Sequence, residues 1–297
     1  MWIFIDTNIY LDFYRGRNVG LLLKSLESVK DKIFIPQPIR NEVIRNRVNA
    51  ALERINEDKK KLSIKLVPFP DLLTTLALDD YPSLQNDWTD LGSKSKELEK
   101  RYKSVLAKTV CHVAQGIDPI SKSLQSILEN ARPHNEEQLT KARLRKELGN
   151  LPGKRNAPLG DQLAWEQLIS TVKDDEDIWI VSRDADYLVG FDNQITLNPF
   201  LYEEFAKQRR GKVYTFQDLA SALQHYKTNA DSKLDLPSQE ELDLAKKEQR
   251  SLSNKSQCNC LDGPSPIGGY ENRFYIVRCQ KCGVILGMQE DYYSYSD

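Results

Sequence analysis

The sequence is poor in histidine and close to neutral, and both shortages exclude classes of protein. Its 297 residues include three histidines, His112, His134 and His225. They are scattered and belong to no motif, so we interpret them as structural rather than as a catalytic base. The 42 basic and 43 acidic residues give a net charge of −1, which excludes electrostatic attraction of nucleic acid by the surface as a whole. Any binding of nucleic acid must depend on local basic patches.

Long apolar runs are also missing. No stretch is long enough to span a membrane. The apolar start at residues 1–5 is broken by Asp6 and lacks the basic leader of a signal peptide. These absences predict a soluble, cytoplasmic protein without a membrane partner. Thiols stay reduced in the cytoplasm, so clustered cysteines are expected to bind metal rather than to form disulfides.

Short β-rich runs alternate with helical patterns along the chain. Such alternation indicates an α/β fold with a parallel sheet flanked by helices. Because the chain has no glycine-rich phosphate loop and no G-x-x-x-x-G-K-[ST] pattern, a phosphatase or nucleotide-binding domain is disfavoured. Strands are predicted at residues 2–6, 32–36, 64–67, 177–182, 194–197 and 212–215, and the clearest helices at 39–62 and 216–226.

Composition divides the chain into three parts. Residues 1–227 carry the α/β pattern, interrupted at 68–158 by a mostly polar helical stretch that we interpret as an insertion or cap. Residues 228–257 are highly charged and are predicted to form a linker with one helix. Residues 258–297 are rich in Gly, Tyr and Cys and are predicted to form a small separate module.

Four acidic residues lie beside the predicted strands and helix starts. Asp6 ends the first strand, Asp184 follows the strand at 177–182, and Glu42 and Asp161 lie in the first turns of helices. In open α/β sheets, ligands bind outside the carboxyl ends of the strands, so the four carboxylates are expected to converge. Converging carboxylates repel one another, and a hard divalent cation such as Mg²⁺ or Mn²⁺ relieves that repulsion because it prefers oxygen ligands.

Each acid taken alone has a simpler explanation. Asp6 and Asp161 are good helix N-caps, and Asp184 is a good turn residue. Glu42 has an arginine, Arg45, within reach on its own helix. The four acids together, each next to a strand end or a helix start, favour a metal site over four separate structural roles.

The segments that carry these acids resemble the four acidic motifs of the PIN domain, in the family's order. They are Ile5-Asp6-Thr7-Asn8, Ile39-Arg40-Asn41-Glu42-Val43, Gly160-Asp161 and Val181-Ser182-Arg183-Asp184. The resemblance covers residues 1–226, with a loose match over 68–158. The gap between Glu42 and Asp161 is far longer than in the compact toxins of the family, and the chain looks more like the larger bacterial PIN-like proteins.

The resemblance implies a Mg²⁺- or Mn²⁺-dependent PIN-type nuclease that hydrolyses phosphodiester bonds. Asp6, Glu42, Asp161 and Asp184 would be its catalytic residues and would hold one or two metal ions that activate water and neutralise phosphate charge. Most PIN nucleases act on RNA, so RNA is expected over DNA as the partner, in RNA processing, stress response or phage defence. The alternative is a non-catalytic PIN-like scaffold that binds nucleic acid or protein. A protein partner or a homo-oligomer stays open.

Residues beside the four acids have expected roles as well. By the resemblance, Thr7 and Asn8 would orient Asp6 and cap the following helix. Ser182 stands where the family often has Thr, and either residue supplies a hydroxyl. Asp186 is an extra ligand, a supporting residue or a plain turn residue, and the sequence does not decide among these roles.

Local basic patches have two interpretations, a solvated surface or a phosphate-contacting surface beside the acids. Both apply to Arg15, Arg17, Arg45 and Arg47, which lie near the acidic motifs. Both also apply to residues 131–158. That stretch holds Arg132, Lys141, Arg143, Arg145, Lys146, Lys154 and Arg155 against Glu136, Glu137 and Glu147.

Four of the five cysteines fall in one 25-residue window. Cys258, Cys260, Cys279 and Cys282 form a C-x-C and a C-x-x-C pair, which predicts a closed tetrahedral zinc site of the structural kind. Zinc would supply folding free energy to a module too short for its own apolar core. Aromatic residues and arginines between the pairs either form the hairpin of a zinc ribbon or contact nucleic acid. The fifth cysteine, Cys111, is interpreted as a small buried apolar residue.

Overall fold

Two units make up the chain, Met1–Glu248 and Gln249–Asp297. The first holds a parallel sheet with helices packed around it, and the second holds three antiparallel strands. The computed structural model describes residues 1–61, 80–153, 158–191, 194–253, 266–271, 274–279 and 285–290.

Strands and helices alternate through most of the described chain. The strands before residue 249 are β1 (Trp2–Ile5), β2 (Ile33–Phe34), β3 (Ile178–Val181), β4 (Leu188–Phe191), β5 (Gln194–Leu197) and β6 (Val213–Phe216). The helices are α1 (Thr7–Arg15), α2 (Leu23–Ser28), α3 (Gln37–Lys61), α4 (Tyr81–Gln115), α5 (Pro119–Leu128), α6 (Glu136–Leu148), α7 (Gly160–Thr171), α8 (Pro199–Gln208), α9 (Leu219–Asn229) and α10 (Gln239–Ser253), with 3₁₀ turns at Val19–Leu22 and Lys30–Lys32.

Four parallel strands form the central sheet in the order β2-β1-β3-β6. Every residue of β3 is buried, as is all of β1 after Trp2, because parallel strands are covered on both faces. The predicted α/β fold with a parallel sheet is confirmed. The register aligns Ile5 with Val181 and Val181 with Phe216. These three strands therefore end at one edge of the sheet.

A two-stranded hairpin, β4 paired with β5, lies beside the main sheet. The sequence pattern predicted β5 but not β4. Strand β4 is only four residues long, contains Gly190 and follows turn-forming residues, so its pattern is not typical of a strand. The hairpin is tied to β6 by a hydrogen bond from the Thr215 hydroxyl to the carbonyl of Ile195, at 2.8 Å.

Histidine 225 has the structural role that was predicted for it. On α9 its Nδ1 accepts a hydrogen bond from Nε1 of the buried Trp179, at 3.0 Å, and its ring packs against Tyr214 and Phe216. Burial lowers the pKa of His225, so the neutral ring serves as an acceptor inside the aromatic core.

Within the predicted insertion, α5 belongs to the main core. Leu124, Ile127 and Leu128 are buried in the same apolar cluster as the sheet. Just after α5, the backbone of Arg132 pairs with the chain after β2, donating to the carbonyl of Ile35 at 2.8 Å. The guanidinium of Arg132 lies over the ring of Trp2. Arg132 therefore has a structural role.

Helix α4 differs from the other long helices because most of its residues are exposed to solvent. The interpretation of Cys111 as a buried residue is wrong, since it lies on this helix and is exposed. The helix buries only Val113 fully. Because the rest of the protein covers α4 only weakly, the small apolar side chain of Cys111 stays exposed to solvent.

The second unit contains β7 (Pro266–Glu271), β8 (Phe274–Cys279) and β9 (Ile285–Glu290), paired antiparallel in that order. Cys279 is the last residue of β8. The predicted zinc ligands Cys258, Cys260 and Cys282 lie outside the described residues, as does the strand predicted at 64–67. In the parts of the chain that the structure describes, no helix is both long and apolar enough to cross a membrane.

Candidate active site

Two neighbouring strand ends place Asp6 beside Ser182. Asp6 follows β1 and Ser182 follows β3, and the backbone N–H of Asp6 donates to the carbonyl of Val181 at 2.9 Å. The Ser182 hydroxyl donates to Oδ2 of Asp6, also at 2.9 Å. Ser182 is fully buried and Asp6 is 5% exposed. The register of the sheet therefore fixes the Asp6 carboxylate at the edge where ligands bind in α/β folds.

Glu42 reaches the same region from helix α3. Helix α1 starts at Thr7, directly after Asp6, and packs against α3. The Thr7 hydroxyl donates to Oε2 of Glu42 at 3.0 Å. The expected contact of Thr7 with Asp6 is made by the Thr7 backbone, which forms a hydrogen bond with the Asp6 carboxylate. The Thr7 hydroxyl positions Glu42, and the hydroxyl of Ser182 positions Asp6.

Asp184 lies in the turn after β3, and Tyr187 links this turn to Asp161. The backbone N–H of Asp184 donates to the Ser182 hydroxyl oxygen at 3.0 Å. Asp161 lies in the first turn of α7, and its backbone carbonyl accepts a hydrogen bond from the buried Tyr187 hydroxyl at 3.3 Å. Tyr187 packs its ring on Trp165 of α7 and on Phe4 of β1.

Asp186 takes part in the structure of the turn. Its Oδ2 accepts the backbone N–H of Gly153 at 3.1 Å, and its own N–H donates to Oδ1 of Asp184 at 2.9 Å. Asp184 thus braces a turn, as its simpler explanation held, while its charge acts on Asp6 and Asp161.

The capping explanations for Asp6 and Asp161 are wrong. Asp6 occupies the N-cap position of α1 but makes no side-chain capping hydrogen bond. The N-cap position of α7 is taken by Leu159, and Asp161 lies two residues further on. Glu42 forms no ion pair with Arg45 among the described side chains. These three carboxylates are therefore not explained by helix capping or surface pairing.

Burial and the charges of other predicted acids raise the pKa values of Asp6 and Asp161. Burial, followed by the negative charge of Asp184, raises the pKa of Asp6 to about 7, and Glu42 adds to the effect. The hydrogen bonds from Ser182 and the Thr7 backbone oppose it. For Asp161, burial raises the pKa to about 8. The charges that add to it are those of Asp6, Glu42, Asp184 and Asp186.

A fifth buried acid, Asp12, lies near this cluster and has the opposite environment. It is fully buried on α1, and its Oδ1 is 2.7 Å from Nη2 of Arg183 and 3.9 Å from Nη1 of Arg15. Among the described residues, no lysine or arginine forms such an ion pair with Asp6 or Asp161. The fold neutralises Asp12 with arginines and leaves the charge of the cluster uncompensated.

This chemistry fits a hard divalent cation. The donors are carboxylate oxygens, which Mg²⁺ and Mn²⁺ prefer, and a cation would lower the raised pKa values of Asp6 and Asp161. Within the described residues, no three His, Cys, Asp or Glu side chains form a group that could hold a metal ion. The charges that Glu42 and Asp184 exert on both Asp6 and Asp161 are the observation that points to a shared site.

A family model described as a PIN domain matches residues 3–187. The chain belongs to the PIN-domain family. All four acids lie within the matched residues, and the match ends at Tyr187, before β6. Comparisons with curated proteins and with solved structures gave no match.

Most of the arginines near the acids of this PIN domain have structural partners. Arg15 donates to Glu53 at 2.6 Å, Arg17 to Asp58 at 3.1 Å, and Arg47 to the carbonyl of Ala114 at 2.9 Å. The structural interpretation therefore holds for these three contacts.

The basic stretch at 131–158 is also less basic at its surface than its composition indicated. Arg145 is 5% exposed and lies between Glu166 and Glu204. Lys141 pairs with Glu137 on the exposed side of α6. Lys154 and Arg155 lie outside the described residues.

Proposed function

We propose that this PIN-domain protein is a metal-dependent endonuclease that hydrolyses phosphodiester bonds. PIN domains are generally nucleases. The observation that supports catalysis here is that burial and the charges of Glu42 and Asp184 strongly raise the pKa values of Asp6 and Asp161, which have no basic partner among the described side chains. A scaffold that only kept the fold has no need to retain buried, mutually repelling carboxylates, because they cost stability.

In this proposal Asp6, Glu42, Asp161 and Asp184 hold Mg²⁺ or Mn²⁺. When bound, such an ion lowers the pKa of a water molecule and stabilises negative charge on phosphoryl oxygens. Ser182 keeps the Asp6 carboxylate in place, and the Thr7 hydroxyl does the same for Glu42. No histidine base is required.

RNA is the proposed substrate class, since PIN domains often bind RNA. The proposed division of the chain is a nuclease domain at 1–227 with a helical insertion at 68–158, a linker at 228–257, and a zinc module at 258–297. Cys258, Cys260, Cys279 and Cys282 are the proposed zinc ligands, in a structural site. The proposed location is the cytoplasm.

The test is a cleavage assay with the full chain on end-labelled single-stranded RNA and DNA. We expect cleavage of RNA that needs Mg²⁺ or Mn²⁺ and is lost when they are omitted. An Asp6→Asn variant, which keeps the shape of the side chain and removes its charge, should be inactive while its circular dichroism spectrum is unchanged. Cleavage of DNA alone would correct the substrate class. An active Asp6→Asn chain, or an inactive intact chain, would favour the scaffold.

Ser182 provides a finer test of how Asp6 is held. Ser182→Ala removes the hydroxyl that donates to Asp6 and accepts from the N–H of Asp184. We expect about 10-fold slower cleavage and a higher Mg²⁺ concentration for half-maximal rate, since one charge-assisted hydrogen bond is lost. Ser182→Thr keeps the hydroxyl and should restore both values. An unchanged Mg²⁺ requirement in the alanine variant would show that Ser182 only fills space.

A further inference from the structure

Helix α4 carries an apolar stripe with a seven-residue period. Its members are Leu84, Leu91, Leu98 and Val105, which are 48%, 46%, 58% and 59% exposed. Large apolar side chains exposed singly are common, but four that recur on one side of a helix point to an interaction surface. We call these four residues the α4 stripe.

The period of the stripe is that of a coiled coil. A heptad repeat sustained over three or more heptads favours pairing of helices by supercoiling rather than packing on a globular core, which follows a period of 3.6. Burial on α4 follows the same repeat, because Trp88, Ser95 and Tyr102 are half-buried while the stripe residues are exposed. From Leu84 to Val105 the stripe is about 32 Å long.

The spacing of the stripe suits a second copy of the same helix. Its midpoint falls between Leu91 and Leu98. An antiparallel two-fold pairing about that point lays Leu91 beside the partner's Leu98, and Leu84 beside the partner's Val105. Each apolar residue then meets an apolar residue, as an interface between identical surfaces requires.

Charge along α4 favours the antiparallel direction. Residues 81–93 contain two acidic residues, Asp87 and Asp90, and no basic one. Residues 94–115 contain six basic and two acidic residues. An antiparallel pair sets the acidic part against the partner's basic part, and Asp87 comes within one residue of the level of the partner's Arg101. A parallel pair would align like charges along the seam, which is unfavourable.

We propose that the protein forms a homodimer in which two copies of α4 pair antiparallel through the α4 stripe. This inference does not depend on the nuclease activity, since the stripe lies outside the acidic cluster. The occupant of the stripe is another copy of this chain.

Sedimentation of the full-length chain tests the proposal. We expect a dimer at about 10 µM and at least a 100-fold weaker self-association in the Leu91→Glu/Leu98→Glu variant. The matched control is Leu144→Glu/Leu148→Glu, which adds the same charges at two exposed leucines on α6 and should remain dimeric. A thermal melt of each variant shows that it is folded. A monomeric wild type, which would leave the stripe to a different partner, or a dimer that survives the α4 variant overturns the proposal.

Charge reversal tests the direction of pairing. Asp87→Arg and Arg101→Asp should each weaken the dimer. Each change brings two side chains of like charge together at both symmetry-related positions of the interface. The double variant restores both pairs in an antiparallel dimer and should recover wild-type association. Failure of the double variant to recover, with each single variant weakened, would overturn the antiparallel arrangement.

Discussion

Replacing Asp161 by asparagine is expected to abolish cleavage and, in buffer without added divalent ions, to make the protein harder to unfold. Both effects have one cause. Burial is the largest effect that opposes ionisation of the Asp161 carboxylate, and the charges of four other acids oppose it further. Asparagine has nearly the same shape and no charge to bury.

The stabilisation depends on pH, and its sign follows from proton binding. Asp161 has a pKa of about 8 in the folded chain against an ordinary value of 3.8, so between these values the folded state holds a proton that the unfolded state has lost. The free energy of unfolding of the wild type therefore falls as pH rises through this window. The asparagine variant has no carboxylate at this position, so its free energy of unfolding does not fall for this reason as pH rises. Asp6 is common to both proteins, with its own raised pKa caused by burial, Asp184 and Glu42, and contributes a slope of the same sign to each.

We expect the variant to be more stable than the wild type by about 2–4 kcal/mol at pH 8, since one pKa unit corresponds to about 1.4 kcal/mol and relaxation of the site recovers part of the full shift. The difference should nearly vanish at pH 4. Urea unfolding at both pH values measures it. Added Mg²⁺ should stabilise the wild type more than the variant, because only the wild type offers the complete ligand set.

Asp12→Asn is the matched control. Asp12 is also a buried aspartate beside the site, but it has arginine partners. Its replacement should destabilise the protein by roughly 2–4 kcal/mol, because it removes the carboxylate that is 2.7 Å from the Arg183 guanidinium. If Asp161→Asn also proved less stable than the wild type at pH 8, Asp161 would be a structural residue and the metal site would lose its main support.

Local patterns in the sequence were enough to predict most of this fold. The strands β1 and β3 are continuous apolar runs with an acidic residue just beyond each, and such runs are typical of parallel strands buried on both faces. The order and position of Asp6, Glu42, Asp161 and Asp184 followed from the same pattern. The charges of Asp6, Glu42 and Asp184 act on Asp161, but the described residues contain no group of three acids that could hold a metal ion, so the convergence of the four stays a prediction.

Features that depend on contacts distant in sequence were not predictable in this way. Arg183 was identified as part of an acidic motif, but its partner Asp12 lies 171 residues away. Thr7 looked like a capping residue, and its actual partner, Glu42, lies on another helix. The exposure of Cys111 depends on how little of α4 is covered, which composition does not reveal. The heptad repeat of the α4 stripe was readable from the sequence, yet its exposure was not.

Arginine 145 is the clearest case of a residue whose role reversed when its contacts were known. Its charge suggested a basic surface, but its guanidinium is buried between α6, α7 and α8. Nε donates to Glu166 at 2.8 Å, Nη1 to the carbonyl of Leu151 at 2.6 Å, and Nη2 to Glu204. The indole N–H of Trp165 donates to the other oxygen of Glu204 at 2.9 Å. One guanidinium thus pairs with two carboxylates and joins three helices.

Arg145→Met should therefore destabilise the protein by about 3–5 kcal/mol, because it leaves Glu166 and Glu204 without their counter-charge. Urea unfolding followed by tryptophan fluorescence measures it. The matched control, Lys141→Met, removes a lysine one turn earlier on α6 whose pair with Glu137 is exposed, and should cost less than about 1 kcal/mol. In the Arg145→Met background, Glu166→Gln should recover part of the loss, since a neutral amide is cheaper to bury than a carboxylate. Equal effects of the Arg145 and Lys141 changes would show that water solvates the carboxylates of Glu166 and Glu204 when Arg145 is absent. The three helices would then be held together by their apolar contacts alone.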